Sequence, residues 1–438
     1  MKKIVMSAVA LTAIIGSASS LSASEDGVNI FNDIKVKGEI RPRYEYANVD
    51  KATSTSANAF TSRLHLTVTS GLLSVEGLSA TVGVQSVNNF GYTNYNLPGS
   101  NANTDSDGLP YDVINDPNVA MLSEASLDYT TGGTTLHAGR SQVNLDNQRF
   151  IGTVGWRQLE RSYDTVYAAN NSIEGLSLLG AYVYGFAGVG GVTTTESNSV
   201  LLNVKYKVAD ALVITAYDYM LNSPTKTGPY AGNDTIGLSL TGKVDLGAKI
   251  TYRAEYAIQN DATMDFRKTD ATADNFKADA NYFNLDLAAN FSGFIAGLNY
   301  EHFSGSESAG TTTFNPALGT NHKFNGWADI FFVGNAGPDG GLNDANLRLG
   351  YKTKGFGKLL AVYHNFQADE DMAIVGATGT TTNLGSEIDV VYANKIPGVN
   401  GLTGLVKYAS YSAGGDETTF KNTNQDKQVA WLQLDYKF

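Results

Sequence analysis

The chain has 438 residues, only 17% of them charged, a net charge of −12 and no cysteine. That length exceeds one compact soluble core. The acidic balance argues against nucleic-acid binding, and the lack of cysteine excludes disulfides, thiolate metal sites and cysteine nucleophiles.

The N-terminus opens with a basic Met1-Lys2-Lys3, an apolar stretch from Ile4 to Ile15 and a small-residue stretch from Gly16 to Ser24. This is the layout of a secretory signal cleaved near Ala23. It divides the chain into a signal at 1–23 and a single domain at 24–438. Beyond it, no apolar run reaches the roughly 18–20 residues of a membrane helix. If the domain crosses a membrane, it does so as a barrel, the other fold that satisfies every backbone group in lipid.

The stretch from Ile34 to Tyr46 sets the pattern. Ile34, Val36, Gly38, Ile40, Pro42, Tyr44 and Tyr46 are apolar, aromatic or small, while Lys35, Lys37, Glu39, Arg41, Arg43 and Glu45 are charged. A period of two is a strand with two unlike faces. A soluble sandwich shows the same alternation. Here the tyrosines gather at one end of the apolar face and the other face is charged without a break, as a barrel with lipid outside and water inside requires. The next strand, 60–70, sets Phe60, Leu64, Leu66 and Val68 against Arg63, His65, Thr67 and Thr69. Leu78, Ala80, Val82 and Val84 continue the outward face in a third. Strands follow at 120–129, 134–141, 163–169, 176–186, 199–207, 211–221, 234–241 and 246–259. The rest lie at 278–290, 294–303, 342–353, 359–366, 386–394, 402–411 and 428–438.

The connections alternate in length. Short ones at 71–77, 131–133, 170–175, 208–210, 242–245, 291–293, 354–358 and 395–401 carry turn-forming Gly, Asn, Asp or Pro in several cases. Long ones lie between them, the longest at 87–119, 142–162 and 304–341. Short periplasmic turns and long extracellular loops are the habit of bacterial outer-membrane barrels. The expected fold is therefore all-β, a transmembrane antiparallel barrel of about eighteen strands. Sixteen is the count if 163–169 and 234–241 are not strands. Residues 321–333 have strand-like composition, but a nineteenth strand breaks the alternation. They are assigned to the 304–341 connection, which folds inward. The last strand alternates to Tyr436 and a terminal Phe438, as in the signal that the outer-membrane barrel assembly machinery reads.

Two stretches carry a family resemblance. Gly139-Arg140-Ser141-Gln142-Val143-Asn144-Leu145-Asp146-Asn147-Gln148-Arg149-Phe150-Ile151-Gly152, with Val154-Gly155-Trp156-Arg157-Gln158, and Asn321-His322-Lys323-Phe324-Asn325-Gly326-Trp327-Ala328-Asp329 resemble motifs of the alginate-export-like and related porin-like barrels of Gram-negative bacteria. The long Asn/Thr/Gly-rich loops are also similar to those of general porins of epsilon-type proteobacteria. The resemblance implies an eighteen-stranded, monomeric pore with inward-folded loops, at about 142–162 and 304–341, and an arginine-rich constriction.

The candidate pore-lining residues are Lys35, Lys37, Arg41, Arg43, Arg63, Lys249, Arg253, Arg348 and Lys352 on polar strand faces, with Arg140, Arg149, Arg157 and Arg161 around 142–162. Arginine stays charged and its fork matches carboxylates, and side-chain rings of one sign set ion preference in pores. One reading is a constriction that favours anions. The other is that the same cations pair with Glu39, Glu45, Asp146, Glu160, Asp164 and Glu255 and stiffen the wall. Trp156 and Trp327 either narrow the pore or stack on a sugar ring, or else pack their loops on the wall. Asp105, Asp107, Asp112 and Asp116 make a calcium candidate of the 103–116 loop, but their spacing does not complete a twelve-residue calcium loop, and a solvated loop is the plainer reading. Five scattered histidines form no metal spacing. No enzyme and no cofactor are expected.

The function expected is an outer-membrane porin for passive diffusion of small hydrophilic, including anionic, solutes. A channel or exporter for an acidic polysaccharide such as alginate is the alternative, and a structural or adhesive surface barrel the third. Expected partners are outer-membrane lipid and lipopolysaccharide, the assembly machinery through Phe438, and the solutes. Monomer and trimer are both left open.

Overall fold

The computed structural model describes residues 30–191, 193–224, 233–260, 280–305, 314–331, 340–416 and 425–438. The expected signal at 1–23 and parts of several long loops lie outside the described residues. The strands are β1 (Phe31–Val49), β2 (Ala57–Leu72), β3 (Leu78–Asn88), β4 (Val119–Thr131), β5 (Thr134–Ser141), β6 (Ser162–Asn170), β7 (Leu176–Ala187), β8 (Thr194–Ala209) and β9 (Leu212–Leu221). They continue as β10 (Asn233–Asp245), β11 (Lys249–Asn260), β12 (Ala280–Phe291), β13 (Phe294–Phe303), β14 (Leu342–Thr353), β15 (Gly357–Ala373), β16 (Thr380–Lys395), β17 (Leu402–Ser412) and β18 (Lys427–Lys437). All pair antiparallel in one 18-stranded sheet, which closes because β1 pairs with both β2 and β18. Both segments on which a sixteen-strand count depended are strands, β6 and β10.

The seam shows how sequence dictates closure. Gly38 and Phe438 exchange backbone hydrogen bonds of 2.8 and 3.0 Å. A side chain on Gly38 would begin 2.2 Å from the Phe438 ring, so the terminal ring lies flat on the wall only because residue 38 is glycine.

Sheet parity separates two environments. On β1, Val36, Ile40 and Tyr44 are exposed on the outer face, whereas Arg41, Arg43 and Glu45 are buried within the barrel. Leu127, Leu136, Val166, Leu202, Leu238, Leu285, Leu347, Ile388 and Leu432 continue the outer belt around the barrel. An apolar surface running round the whole molecule far exceeds the few hundred Å² typical of a soluble monomer. It needs an apolar solvent, and a closed sheet leaves no unpaired edge in it. At the short-turn end, Phe294–Tyr351, Tyr351–Phe356 and Phe356–Tyr392 pack with ring centroids 4.8, 5.4 and 5.6 Å apart, a girdle of the kind that marks a membrane interface.

Strand limits differ most from the sequence reading at three places. The β10–β11 turn falls at 246–248, not 242–245, because Gly247 takes the left-handed conformation (φ +84°) at the tip. Leu246, expected to begin the strand at 246–259, sits exposed in that turn. β8 begins at Thr194, and the β15–β16 hairpin runs on to Ala373 and Thr380, so two connections expected to be long are short. Register shifts after Phe366 and Gln367 interrupt that hairpin and hid its extension from a strict period of two.

Candidate channel constriction

Two segments from the long-loop end pack on the lumen face of the wall. Segment 142–161 joins β5 to β6, and segment 314–331 belongs to the connection from β13 to β14. They join each other through a parallel bridge, Ile151 with Leu318, and through Gly152 N–H to Leu318 O at 2.9 Å and Thr320 N–H to Gln148 O at 2.9 Å. The second segment is not a strand. It contains a single 3-10 turn, Asn321–Lys323.

The wall receives them with opposite chemistry on its two sides. On β1, Arg41 Nη1 donates to Gly155 O at 2.9 Å and Arg43 Nη2 to Trp156 O at 2.5 Å. The arginines satisfy carbonyls that an irregular segment leaves unpaired. On β16, Glu387 Oε1 accepts from Ala328 N–H at 2.7 Å and Asp389 Oδ2 from Trp327 N–H at 3.2 Å. On β13 and β14, Glu301 and Asp344 accept from Asn325 Nδ2 at 2.7 and 3.2 Å. A cationic wall thus holds one segment by its carbonyls, and an anionic wall holds the other by its N–H groups.

Two segment arginines fasten the assembly. Arg157 bridges Glu45 on β1 at 3.0 Å and Asp329 of the other segment at 2.9 Å. Burial alone would lower its pKa, but Glu45, Asp329 and Asp116 outweigh that and hold it above the usual arginine range. Arg149, fully buried, pairs with Glu301 at 2.9 Å, donates to Asn325 Oδ1 at 2.6 Å and lies 4.5 Å from the Phe303 ring centroid. His322 is pushed down to about 3 by burial, and the neighbouring Lys407 and Arg157 cations act the same way against Asp329. The ring is neutral, so its Nδ1–H donates to Asp329 Oδ1 at 2.8 Å and its Nε2 accepts from Lys407 Nζ at 2.6 Å.

The expected cations divide into three groups. Arg41, Arg43, Arg63, Arg149, Arg157 and Arg161 come together around the segments, and all are engaged. Arg63 pairs with Glu39 and with Glu160, and Arg161 donates to the Gly152 and Leu318 carbonyls. Arg43 also pairs with Glu45 and Asp116 at 3.9 and 3.7 Å. Lys35, Lys37, Lys249, Arg253, Arg348 and Lys352 keep lumen parity nearer the short-turn end. There Arg253 pairs with Glu255 and Arg348 with Asp286. Lys35, Lys37, Lys249 and Lys352 are exposed and make no ion pair among the described residues. Arg140 forms the third group alone and corrects the expectation that it lines the pore. It shares the parity of exposed Leu136 and Ala138, donates to Leu122 O and pairs with Asp164 at 2.6 Å on the outer side of the wall.

Trp156 stacks on His322 with centroids 4.9 Å and planes 5° apart, and meets Trp431 edge-on at 5.5 Å. This is packing of the segment on the wall. The carboxylates of the 103–116 loop fold the loop through Asp105 and dock it on β1 and the β1–β2 connection through Asp112. Asp105 accepts from Asp107 and Leu109 N–H, and Asp112 from Val49 N–H and Ser54 Oγ. Among the described residues no group of three or more acidic or histidine side chains is arranged to hold a metal.

The sequence reading missed Glu301, Asp344, Glu387, Asp389 and Lys407, and it gave Asp116 to a calcium loop rather than to Arg43. The strand residues among them occupy lumen parity, Glu387, Asp389 and Lys407 in the middle of their strands and Glu301 and Asp344 near the long-loop ends, where a buried charge needs a partner. That position was the available signal.

An eighteen-stranded antiparallel barrel with a polar lumen narrowed by inserted segments is the porin class of fold. The fold matches crystal structures of OccAB3 from Acinetobacter baumannii (TM-score 0.67, 15% identity, covering 93% of this chain and 99% of that one) and of OccK9 (OpdG) from Pseudomonas aeruginosa (0.67, 14%, 93% and 99%). It also matches OccK8 (OprE) from Pseudomonas aeruginosa (0.65, 16%, 93% and 98%). No protein-family model and no curated protein matches the chain.

Proposed function

We propose that the chain is an outer-membrane channel for passive passage of small hydrophilic solutes, with its bore set by segments 142–161 and 314–331. The observation that carries this reading is the division of the sheet into a continuous apolar outer belt and a polar, charged lumen. Lipid is the only solvent that suits the first, and water in a passage suits the second. Discrimination by sign rests with Lys35, Lys37, Lys249 and Lys352, which are exposed on lumen parity and make no ion pair among the described residues, rather than with the engaged arginines. The pore therefore favours anions. Phe438, with its ring at the aromatic rim, is the contact for the assembly machinery, and the N-terminal 1–23 is the export signal.

The test is planar-bilayer conductance of the purified, heat-modifiable barrel under a salt gradient. Stable current with a reversal potential favouring anions is expected. A cation-selective current overturns the sign preference and leaves the channel. Absence of current from folded protein overturns the channel.

A further inference from the structure

All three tryptophans of the chain, Trp156, Trp327 and Trp431, converge on one lysine. Lys407 lies on β17, and its Nζ is 3.9 Å from the Trp156 ring centroid, 4.0 Å from that of Trp327 and 4.9 Å from that of Trp431. The fourth neighbour is the accepting His322 Nε2 at 2.6 Å. The rings come from three places: Trp156 from one inserted segment, Trp327 with His322 from the other, and Trp431 from β18 directly opposite Lys407 in the sheet. The ammonium makes no ion pair within 4.0 Å among the described residues, although Asp389 and Asp329 lie near enough to act on it electrostatically. An ammonium that gives up water for aromatic faces and one imidazole nitrogen is held by cation–π attraction, which strengthens with desolvation.

We propose that Lys407 is the positioning residue of the constriction, a tethered cation filling an aromatic cage that exists only while both segments are docked. Arg157 ties both segments to β1, and Arg149 ties both to β13. The cage gathers both segments and the β17–β18 wall around a single charge. Its loss loosens Trp156, Trp327 and His322 together, although Arg43 still lies 4.2 Å from the Trp156 ring centroid and His322 still meets Asp329, and lets the bore fluctuate. No solute contact by Lys407 is needed.

The cage reports on itself, because intrinsic tryptophan emission comes from no other place in the chain. Lys407→Met keeps the length of the side chain and removes the charge. Lys407→Ala leaves a gap the shape of n-propylammonium, which matches the lost Cγ to Nζ. Both variants are first checked for the heat-modifiable mobility of a folded barrel. Expected in both are emission moved to longer wavelength and current steps about thirtyfold more frequent, the equivalent of ~2 kcal/mol for a desolvated cation–π contact at tenfold per ~1.4 kcal/mol. Added n-propylammonium chloride restores emission and quiet current in Lys407→Ala, whereas n-propanol does not. Wild-type emission and noise in Lys407→Met overturn the proposal, as does equal rescue by propanol, which would make the role one of volume. The current arm rests on the channel reading, whereas the emission arm does not. Rescue of emission in a barrel that never conducts keeps the anchor and sinks the channel.

Discussion

Arg157→Ala is the sharpest test of how the constriction is held. The side chain touches β1 through Glu45 and segment 314–331 through Asp329 at 3.0 and 2.9 Å, with 12% of it exposed. Its removal leaves two largely buried carboxylates facing the space it occupied. Breaking a buried pair by deleting one partner costs ~3–5 kcal/mol, chiefly for the orphaned charge. Arg43 remains 3.9 Å from Glu45 and His322 still donates to Asp329, which places this case near the lower bound, about 3 kcal/mol. At tenfold per ~1.4 kcal/mol, the docked arrangement loses about a hundredfold against undocked ones. The closed sheet stays intact, since none of its ladder bonds involves Arg157. Single-channel recording should show a new, wider and noisier conducting level. The double variant Arg157→Ala/Glu45→Gln should be quieter than the single, because one orphaned charge is gone. A single variant as quiet as wild type, or a double variant noisier than the single, refutes the strut.

Replacing Lys37 and Lys249 together by Glu should move the reversal potential toward cations while the current noise stays at the wild-type level. An unmoved potential removes these lysines from selectivity. Gly38→Ala puts a methyl group into the Phe438 ring 2.2 Å away. The seam should weaken by ~1–3 kcal/mol, as overpacking usually does, visible as a lower temperature for the heat-modifiable shift. His322 carries a folded-state pKa of about 3 against an ordinary 6.5, so the unfolded or undocked state binds its proton first. Docking of the segments is therefore at full strength above about pH 6.5 and weakens steadily as pH falls toward 3. Tryptophan emission followed through an acid titration should shift over that window in the wild type. A flat titration refutes the buried neutral ring.

The barrel was legible because its signal is local. A period of two in Ile34 to Tyr46 states both which face meets lipid and that the other face is wet, and alternating connection lengths state the hairpin order. Strand ends were less legible where a bulge breaks the period, as after Phe366, or where one glycine selects the turn, as Gly247 does. The constriction was legible by composition but not by pairing. Arg157 and Trp156 stood out in the 142–162 connection. Their partners Asp329, His322 and Lys407 are more than 150 residues away and are brought together only by barrel closure and segment docking. The acids Glu39, Glu160 and Glu255 were named as a set in one of two readings, without partners, and their pairing with Arg41, Arg63 and Arg253 also weighs on the other.

A charge cannot be both a strut and a filter at full strength. Arg43, Arg149 and Arg157 each face at least one carboxylate within 4 Å. A solute passing beside such a pair meets a dipole of short reach rather than a positive ring, because the opposite charge cancels the field within a few ångströms. Pulling the arginine off its carboxylate to greet an anion would cost several kcal/mol, more than a weakly held solute returns. The exposed lysines are in the opposite condition. Lys35, Lys37 and Lys249 are exposed and make no ion pair among the described residues, so in the proposed channel they attract anions over roughly a Debye length of 8–10 Å. In the proposed channel, bore and sign preference therefore belong to different residues at different depths. Strut variants such as Arg157→Ala should change conductance and noise first, and lysine variants should change the reversal potential first. An arginine substitution that shifted selectivity while leaving bore and noise untouched would mean that the buried pairs open during conduction.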